Sequence, residues 1–459
     1  MRLTNAVESL FKKYLPSPFT IAVLLTLFTM VMAFFFTSSP EGESHIVTIL
    51  KYWENGVWNN ALLVFAYQMM LILVLGHVLV LSIPVNKLIQ ALVKHVHSTA
   101  GAAVLVSVTT MLVSFFNWGL GLIFGAIMAR KVAEYAHKNQ IPINYPLIGA
   151  SGYVGLMVWH GGISGSAPLK VAEKGHLAQL MQSVTSPEIV ARLPDVIATQ
   201  ETVFSWWNLF IFGIILVVIP FILYRIGRKV KPTPIDLEPY EISRDKEHKP
   251  VGSEKMDRSL WLAVIFGSLI LLAFVFQYHS LLAGFTITPN MLNFFMLGLA
   301  ILLHGNFKRF LRALEEAIKG TSGILIQFPL YFGIMGIMGG SGMVNVISGF
   351  FVSVSNEVTL PVFTFLSGAL VNIFVPSGGG QWAVQGPIVI ESALALGVPL
   401  PKAVMALSYG DQITNMLQPF WALPLLGITR LKAREILPYT VILMVVGGAI
   451  YIGGLLLLA

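Results

Sequence analysis

Apolar residues along this chain come in long blocks rather than in a short alternation. Apolar stretches near 18–37, 60–83, 99–129, 143–169, 204–224, 259–277, 290–304, 320–352, 358–391, 403–428 and 437–458 are separated by shorter polar segments. About 20 apolar residues cross the hydrocarbon core of a bilayer as a helix. The pattern predicts an all-α polytopic membrane protein. Two polar stretches interrupt it. One is 170–203. The other, 225–258, is densely charged and holds Pro232, Pro234, Pro239 and Pro250, which reads as a cytoplasmic linker between a first half (1–224) and a second half (259–459). Ahead of the first block, Val7–Leu15 with Lys12 and Lys13 predicts a short amphipathic helix on the membrane surface. The first block is too long for a signal-peptide core and reads as the first transmembrane helix.

Two segments do not fit a simple span. Segment 99–129 has 31 residues, too few for two spans and a turn and too many for one. Asn117-Trp118-Gly119 interrupts it, and basic residues flank both ends: Lys87 and Lys94 before, Arg130, Lys131 and Lys138 after. The expectation is a re-entrant hairpin opening to the cytoplasm. Segment 358–391 is broken at Pro376-Ser377-Gly378-Gly379-Gly380 and has no basic flank, so a hairpin opening to the outside is expected. This leaves about nine spans, with the N-terminus cytoplasmic and the C-terminus outside. Of the 29 Lys and Arg, only Lys51, Lys170, Lys174, Arg192 and Lys402 then lie outside, and none within the membrane. The bias is that of the positive-inside rule.

Composition removes several classes. The chain of 459 residues is 56% hydrophobic and 11% charged, against about 25% charged in soluble domains, which excludes a water-soluble enzyme. With no cysteine there is neither a disulfide framework nor a thiolate nucleophile. The net charge of +7 is explained by the cytoplasmic flanks and calls for no nucleic acid. GISGS at 162–166 is no nucleophile elbow, since no strand precedes it.

A weak internal repeat appears at a shift of 258–260, pairing Gln68 with Gln327, Val113 with Val371, Pro142 with Pro401 and Gly152 with Gly410. It superposes one broken hairpin on the other with opposite predicted orientation. Inverted repeats with discontinuous helices are the architecture of secondary transporters, whose site lies where the repeats meet.

The candidate chemistry sits at four paired breaks: Asn117–Gly121 with Ser377–Gly380, and Gly152–Gly165 with Gly410–Pro419. Freed helix N-termini favour an anion. Asn117, Gly119, Gly121, Ser377, Gly378 and Gly379 are therefore the expected holders of a small carboxylate. The bland alternative is kinks that relieve packing strain. Asp411 is the one acidic residue deep in an apolar run, and Thr414 and Asn415 share its helical face. The three are candidates for a coupling ion, unless Asp411 merely caps a half-helix. His160, aligned with Gln418, is a substrate or proton contact, or a satisfied polar residue. His77 reads as a neutral hydrogen-bonder between helices. Trp118, Trp159, Trp382 and Trp421 flank the breaks and would line an apolar tail, with Trp382 counted among the substrate contacts, although Trp is common in membrane proteins.

SFFNWGLGLIFGAIMAR, GYVGLMVWHGGISGSAPL, NIFVPSGGGQWAVQGP and SYGDQITNMLQPFWALP resemble the bacterial short-chain fatty acid transporter family, as do KYLPSPFTIAVLLTL and KYWENGVW. The resemblance covers nearly the whole chain. It implies uptake of butyrate- and acetoacetate-like acids at the cell inner membrane. It also implies a homodimer with a scaffold and a moving, elevator-type domain that carries both hairpins. Sodium-coupled relatives in the wider superfamily carry Ser-Asn-Thr at each tip. Here the tips read Phe116-Asn117-Trp118 and Pro376-Ser377-Gly378, so only Asn117 and Ser377 carry over. Sodium near Asn117, Ser377 and Asp411 and protons through Asp411 or His160 are both open. The expected function is secondary active symport of a monocarboxylate with H+ or Na+ and no other cofactor. Rivals are a carrier of a dicarboxylate or amino acid derivative, an anion channel, and an intramembrane enzyme using His160 and Asp411.

Overall fold

Hydrocarbon offers no hydrogen-bond partners, so a chain crossing it must bond its backbone within itself. The computed structural model describes residues 16–39, 43–181, 190, 193–234, 252–283 and 288–458, and these contain helices and no strand. The expected surface helix Val7–Leu15 and residues 235–251 of the linker lie outside the described residues.

The first half contributes α1 (Pro18–Phe36), α2 (His45–Val57), α3 (Asn60–Leu81), α4 (Ile83–Val93), α5 (Thr99–Phe116), α6 (Trp118–Lys138), α7 (Tyr145–Tyr153), α8 (Ser166–Val171), α9 (His176–Met181) and α10 (Trp206–Gly227). The second contributes α11 (Leu260–Ala283), α12 (Pro289–His304), α13 (Phe307–Ile318), α14 (Ser322–Gly340), α15 (Met343–Ser353), α16 (Leu360–Phe374), α17 (Gly378–Leu396), α18 (Leu400–Thr414), α19 (Pro419–Thr429) and α20 (Ala433–Leu457). Element starts recur at a spacing of 260, as in Ile83 and Met343, or Trp118 and Gly378. The sequence repeat is thus a repeat of elements.

Among the described residues six helical stretches are long and apolar enough to cross a bilayer, and α14 with α15 makes a seventh, bent by 66°. The bend falls at Ser341-Gly342, where Gly342 adopts φ +76°. About nine spans were expected. Of those nine, 143–169 and 403–428 are each a pair of half-helices and 290–304 is a helix of 16 residues, while the seven include α5 (Thr99–Phe116), an arm of the first broken segment. The apolar pattern marks no element between the first block and residue 60, yet α2 forms there and packs along α14. Gly56 and Gly336 make that approach possible, since a Cβ on either would overlap the other helix's backbone.

Both hairpins form. In the first, α5 and α6 fold back at Asn117 so that Gly121 stands against Ser114 and Gly125 against Thr110. In the second, the Gln381 amide donates to the Gly368 carbonyl (2.8 Å) and that of Gln385 to Ser367 Oγ (2.9 Å). The first hairpin extends past its expected end at 129, because α6 continues to Lys138. Arg130, read as a cytoplasmic flank, is buried. Its Nε donates to Glu134 (2.9 Å) and its Nη1 to the Ile428 carbonyl (2.8 Å). Pairing one turn on and at the C-terminal end of α19 lets the charge stay inside.

The halves interleave in space. Helices α5 to α10 pack with α16 to α20, while α1 to α4 pack with α11 to α15. The first group carries both hairpins and both broken helices.

The opposed openings of the hairpins are testable because the chain has no background thiol. Lys138→Cys and Glu391→Cys both place a thiol at an exposed position. In whole cells an impermeant maleimide is expected to label Glu391→Cys, and to reach Lys138→Cys only after permeabilisation. Labelling of both from outside would refute the inverted arrangement.

Candidate functional site

The site grows out of two interrupted helices. After α7 the chain makes a 3-10 turn, Val154–Met157, and an irregular loop to α8; after α18 it makes a 3-10 turn, Asn415–Leu417, before Pro419 opens α19. Each interruption strands polar backbone groups, and residues from the other half meet many of them. Tyr153 Oη donates to the carbonyls of Asn415 (2.9 Å) and Gln418 (3.0 Å), and Tyr451 Oη to that of Met157 (2.7 Å). Gln412 Oε1 accepts from the backbone N–H of His160 (2.8 Å) and Gly161 (3.0 Å). Asn208 Nδ2 donates to the Gly161 carbonyl (2.9 Å), and its oxygen accepts from Tyr409 (2.6 Å).

The hairpin tips dock onto the first interruption. Asn117 ends α5 and caps α6, its Oδ1 accepting from the Leu120 N–H (2.9 Å), while the Trp118 N–H donates to Ser164 Oγ (2.9 Å). Ser377 caps α17 by accepting from the Gly380 N–H (3.2 Å). Gly378 lies so close to the loop that a Cβ would fall 2.7 Å from His160 Cε1 and 2.8 Å from Trp159 Cη2. Gly119, Gly378 and Gly379 occupy first-turn positions of α6 and α17, where an N–H has no intrahelical acceptor.

His160 and Asp411, 251 positions apart, meet through Nδ1 and Oδ2 at 2.5 Å, both side chains essentially buried. His160 Nε2 accepts from the Ala167 N–H (3.0 Å), which assigns the ring proton to Nδ1 and makes the imidazole neutral. With Asp411 ionised the pair would carry one negative charge. Among the described residues no lysine or arginine forms an ion pair with it.

Beside it, Asn372 Nδ2 faces three oxygens: the Asp411 carbonyl (2.7 Å), Thr414 Oγ1 (3.0 Å) and Asn415 Oδ1 (2.8 Å). An amide has two N–H bonds for these three acceptors, while Asn372 Oδ1, Asn415 Nδ2 and Gln418 Oε1 are buried without partners. Asn372 was not singled out from the sequence. The signal was there: a lone carboxamide in the apolar run of α16, five residues before the tip.

Other expected residues are placed elsewhere. Gly121 is inside the first hairpin, its N–H bonded to the Asn117 carbonyl (2.9 Å) and its face closed by Ser114. Trp382 belongs to a separate apolar cluster with Ala167, Val171 and Leu407, and its indole donates to His176 Nε2 (3.0 Å). Burial, with Lys170 nearby, holds His176 below the usual histidine range and keeps it an acceptor. The other three tryptophans do converge. Trp118 lies 5.2 Å from Trp421 and 5.9 Å from Trp159, whose ring stacks on His160 at 4.5 Å. His77 lines a small cavity with Arg130 and Glu134, apart from the His160–Asp411 pair.

The family model for short chain fatty acid transporters matches residues 1–458. A protein of Escherichia coli K12 is 37% identical over 467 residues, and one of Haemophilus influenzae is 37% identical over 462; each alignment covers 99% of both chains. Both are provisionally named short-chain fatty acid transporters. Among solved structures, MtrF of Neisseria gonorrhoeae, described within a class of antimetabolite efflux pumps, is 15% identical, covering 98% of this chain and 97% of its own at a TM-score of 0.45. The YdaH transporter of Alcanivorax borkumensis is 14% identical, covering 96% and 97%, also at 0.45.

Gln412 is the clearest positional test of how the interruption is held. Gln412→Leu orphans two buried N–H groups at about 1–3 kcal/mol each. A lower melting temperature in detergent is expected, and an unchanged one would show that the loop does not depend on this brace.

Proposed function

The chain belongs to the short-chain fatty acid transporter family, a family of membrane transporters and not of enzymes, and on that premise we propose that it is a secondary active carrier of short-chain monocarboxylates. Butyrate- and acetoacetate-like acids are its substrates, at a bacterial inner membrane and in symport with a cation. The observation that carries this reading is the buried His160–Asp411 pair, a carboxyl group with no lysine or arginine paired to it among the described residues. A substrate carboxylate arriving beside an ionised Asp411 adds a second charge that the low-dielectric interior does not tolerate alone. A co-transported cation offsets one of the two. A dianion would demand more compensation than the site has, which disfavours a dicarboxylate.

The carboxylate is held by dipoles and neutral donors: the first-turn N–H groups of Gly378, Gly379 and Gly119, the Ser377 hydroxyl and the Asn117 amide nitrogen. The cation has two candidate seats. A proton would go to Asp411, since protonating His160 at Nε2 would break its bond from the Ala167 N–H (3.0 Å). A sodium ion would take the oxygens of Asp411, Thr414 and Asn415, with the Asn372 amide turned to present Oδ1. Both hairpins and both interruptions lie in one packed group of helices. That supports an elevator-type movement of this group against the other, in a homodimer.

Uptake of labelled butyrate and acetoacetate into proteoliposomes, under sodium and proton gradients imposed separately, tests the reading. Accumulation above equilibrium is expected under one gradient; dissipation alone would make the protein a channel. Ser377→Ala and Asn117→Ala should each weaken butyrate binding by about 10- to 150-fold, from the loss of a hydrogen bond worth about 1.5–3 kcal/mol to a charged partner. Unchanged affinity in both would reduce the tips to structural caps. Asp411→Asn preserves shape and removes the charge, so it should abolish gradient-driven accumulation while sparing butyrate exchange. Wild-type accumulation by Asp411→Asn under either gradient would remove Asp411 from coupling.

A further inference from the structure

Between the tip of the first hairpin and the helices α3 and α14 lies a cavity that holding the carboxylate and the cation does not use. Met69 and Ile72 of α3, Phe328 of α14, Trp118 and Gly119 of the tip and Trp421 of α19 are among its walls. No lining side chain carries a charge, a hydroxyl or a carboxamide. The space open to the centre of a water is about 10 Å³, room for about one water, and apolar cavities stay dry. It suits a terminal methyl and not a long acyl chain.

Gly119 gives a second, independent reason to read this as a site. A Cβ at Gly121 would overlap Ser114, so packing explains that glycine. At Gly119 a Cβ would stand 3.6 Å from Asn117 Oδ1 and 3.6 Å from Ile72 Cδ1, which is ordinary contact. Gly119 takes no left-handed backbone conformation either. Alanine would fit and would favour the helix. Packing therefore does not require a glycine here, and the residue leaves open a wall that a methyl would partly fill. The same residue presents its N–H at the N-terminus of α6, so an anion held there has its hydrocarbon end beside the cavity.

We propose that this cavity is the subsite for the hydrocarbon end of the substrate, and that Gly119 and Ile72 set the longest acid the carrier accepts. The inference rests on the monocarboxylate reading above. The carboxylate contacts are common to all acids, so the ratio of affinities between acids isolates the tail. In a filled apolar pocket one methylene is worth about 10- to 200-fold.

The test is binding of acetate, butyrate and hexanoate to the purified protein, followed by quenching of tryptophan fluorescence. Gly119→Ala should lower the butyrate-to-acetate affinity ratio at least about 10-fold. Ile72→Ala should raise the hexanoate-to-butyrate ratio by a similar factor; should it not fold, Ile72→Val is the smaller step in the same direction. Ratios equal to wild type in both variants would overturn the subsite. Binding is read without transport. Absence of coupled uptake in liposomes would therefore count against the carrier reading, while the affinity ratios decide separately whether the cavity holds the tail.

Discussion

Each interrupted helix strands carbonyl and N–H groups that hydrocarbon cannot satisfy, and most of the central architecture follows from where those groups find partners. They find them across the repeat. Tyr153 of the first half serves the carbonyls of Asn415 and Gln418 in the second, while Tyr451 and Gln412 of the second serve Met157, His160 and Gly161 in the first. Neither interruption is satisfied by its own half alone. The two halves are thus bonded to each other at the depth where each is weakest, and the hairpin tips close on the same place.

That arrangement has an electrostatic consequence. The groups left facing the centre are first-turn N–H groups, amides and hydroxyls, which attract an anion without carrying a full charge. The carboxyl group there is that of Asp411, bonded to His160. Among the described residues no lysine or arginine is paired with that carboxyl. Arg130 shows the opposite solution nearby. It is buried as well, but paired with Glu134 and the Ile428 carbonyl, so its charge is used in holding α6 against α19.

The aromatic residues divide the same space by chemistry. Trp159 stacks on His160 and carries the polar centre towards Trp118 and Trp421, beyond which the walls are apolar. A short amphiphile with one charged end and one apolar end matches that gradient.

The sequence by itself determined the class, the helical fold, the positions of the four interruptions and the hairpin tips at Asn117 and Ser377. A bilayer imposes lengths and excludes charge, so composition and block size speak directly. It was also enough to point to Asp411 and His160, because polar residues in apolar runs are few. It did not reveal that the two are partners. Nor did it reveal that Asn372 gathers three oxygens, that Gly121 serves packing, or that Trp382 belongs with His176. The His160, Asn372 and Trp382 contacts join residues 39 to 251 positions apart, and Gly121 meets Ser114 only because the chain folds back at the tip, which no local pattern encodes. The helix of the first hairpin also runs on past residue 129, to Lys138. Arg130 looks like a membrane boundary in the sequence; its partner Glu134 lies one turn on in the same helix, and only the tertiary structure brings the Ile428 carbonyl at the end of α19 to it.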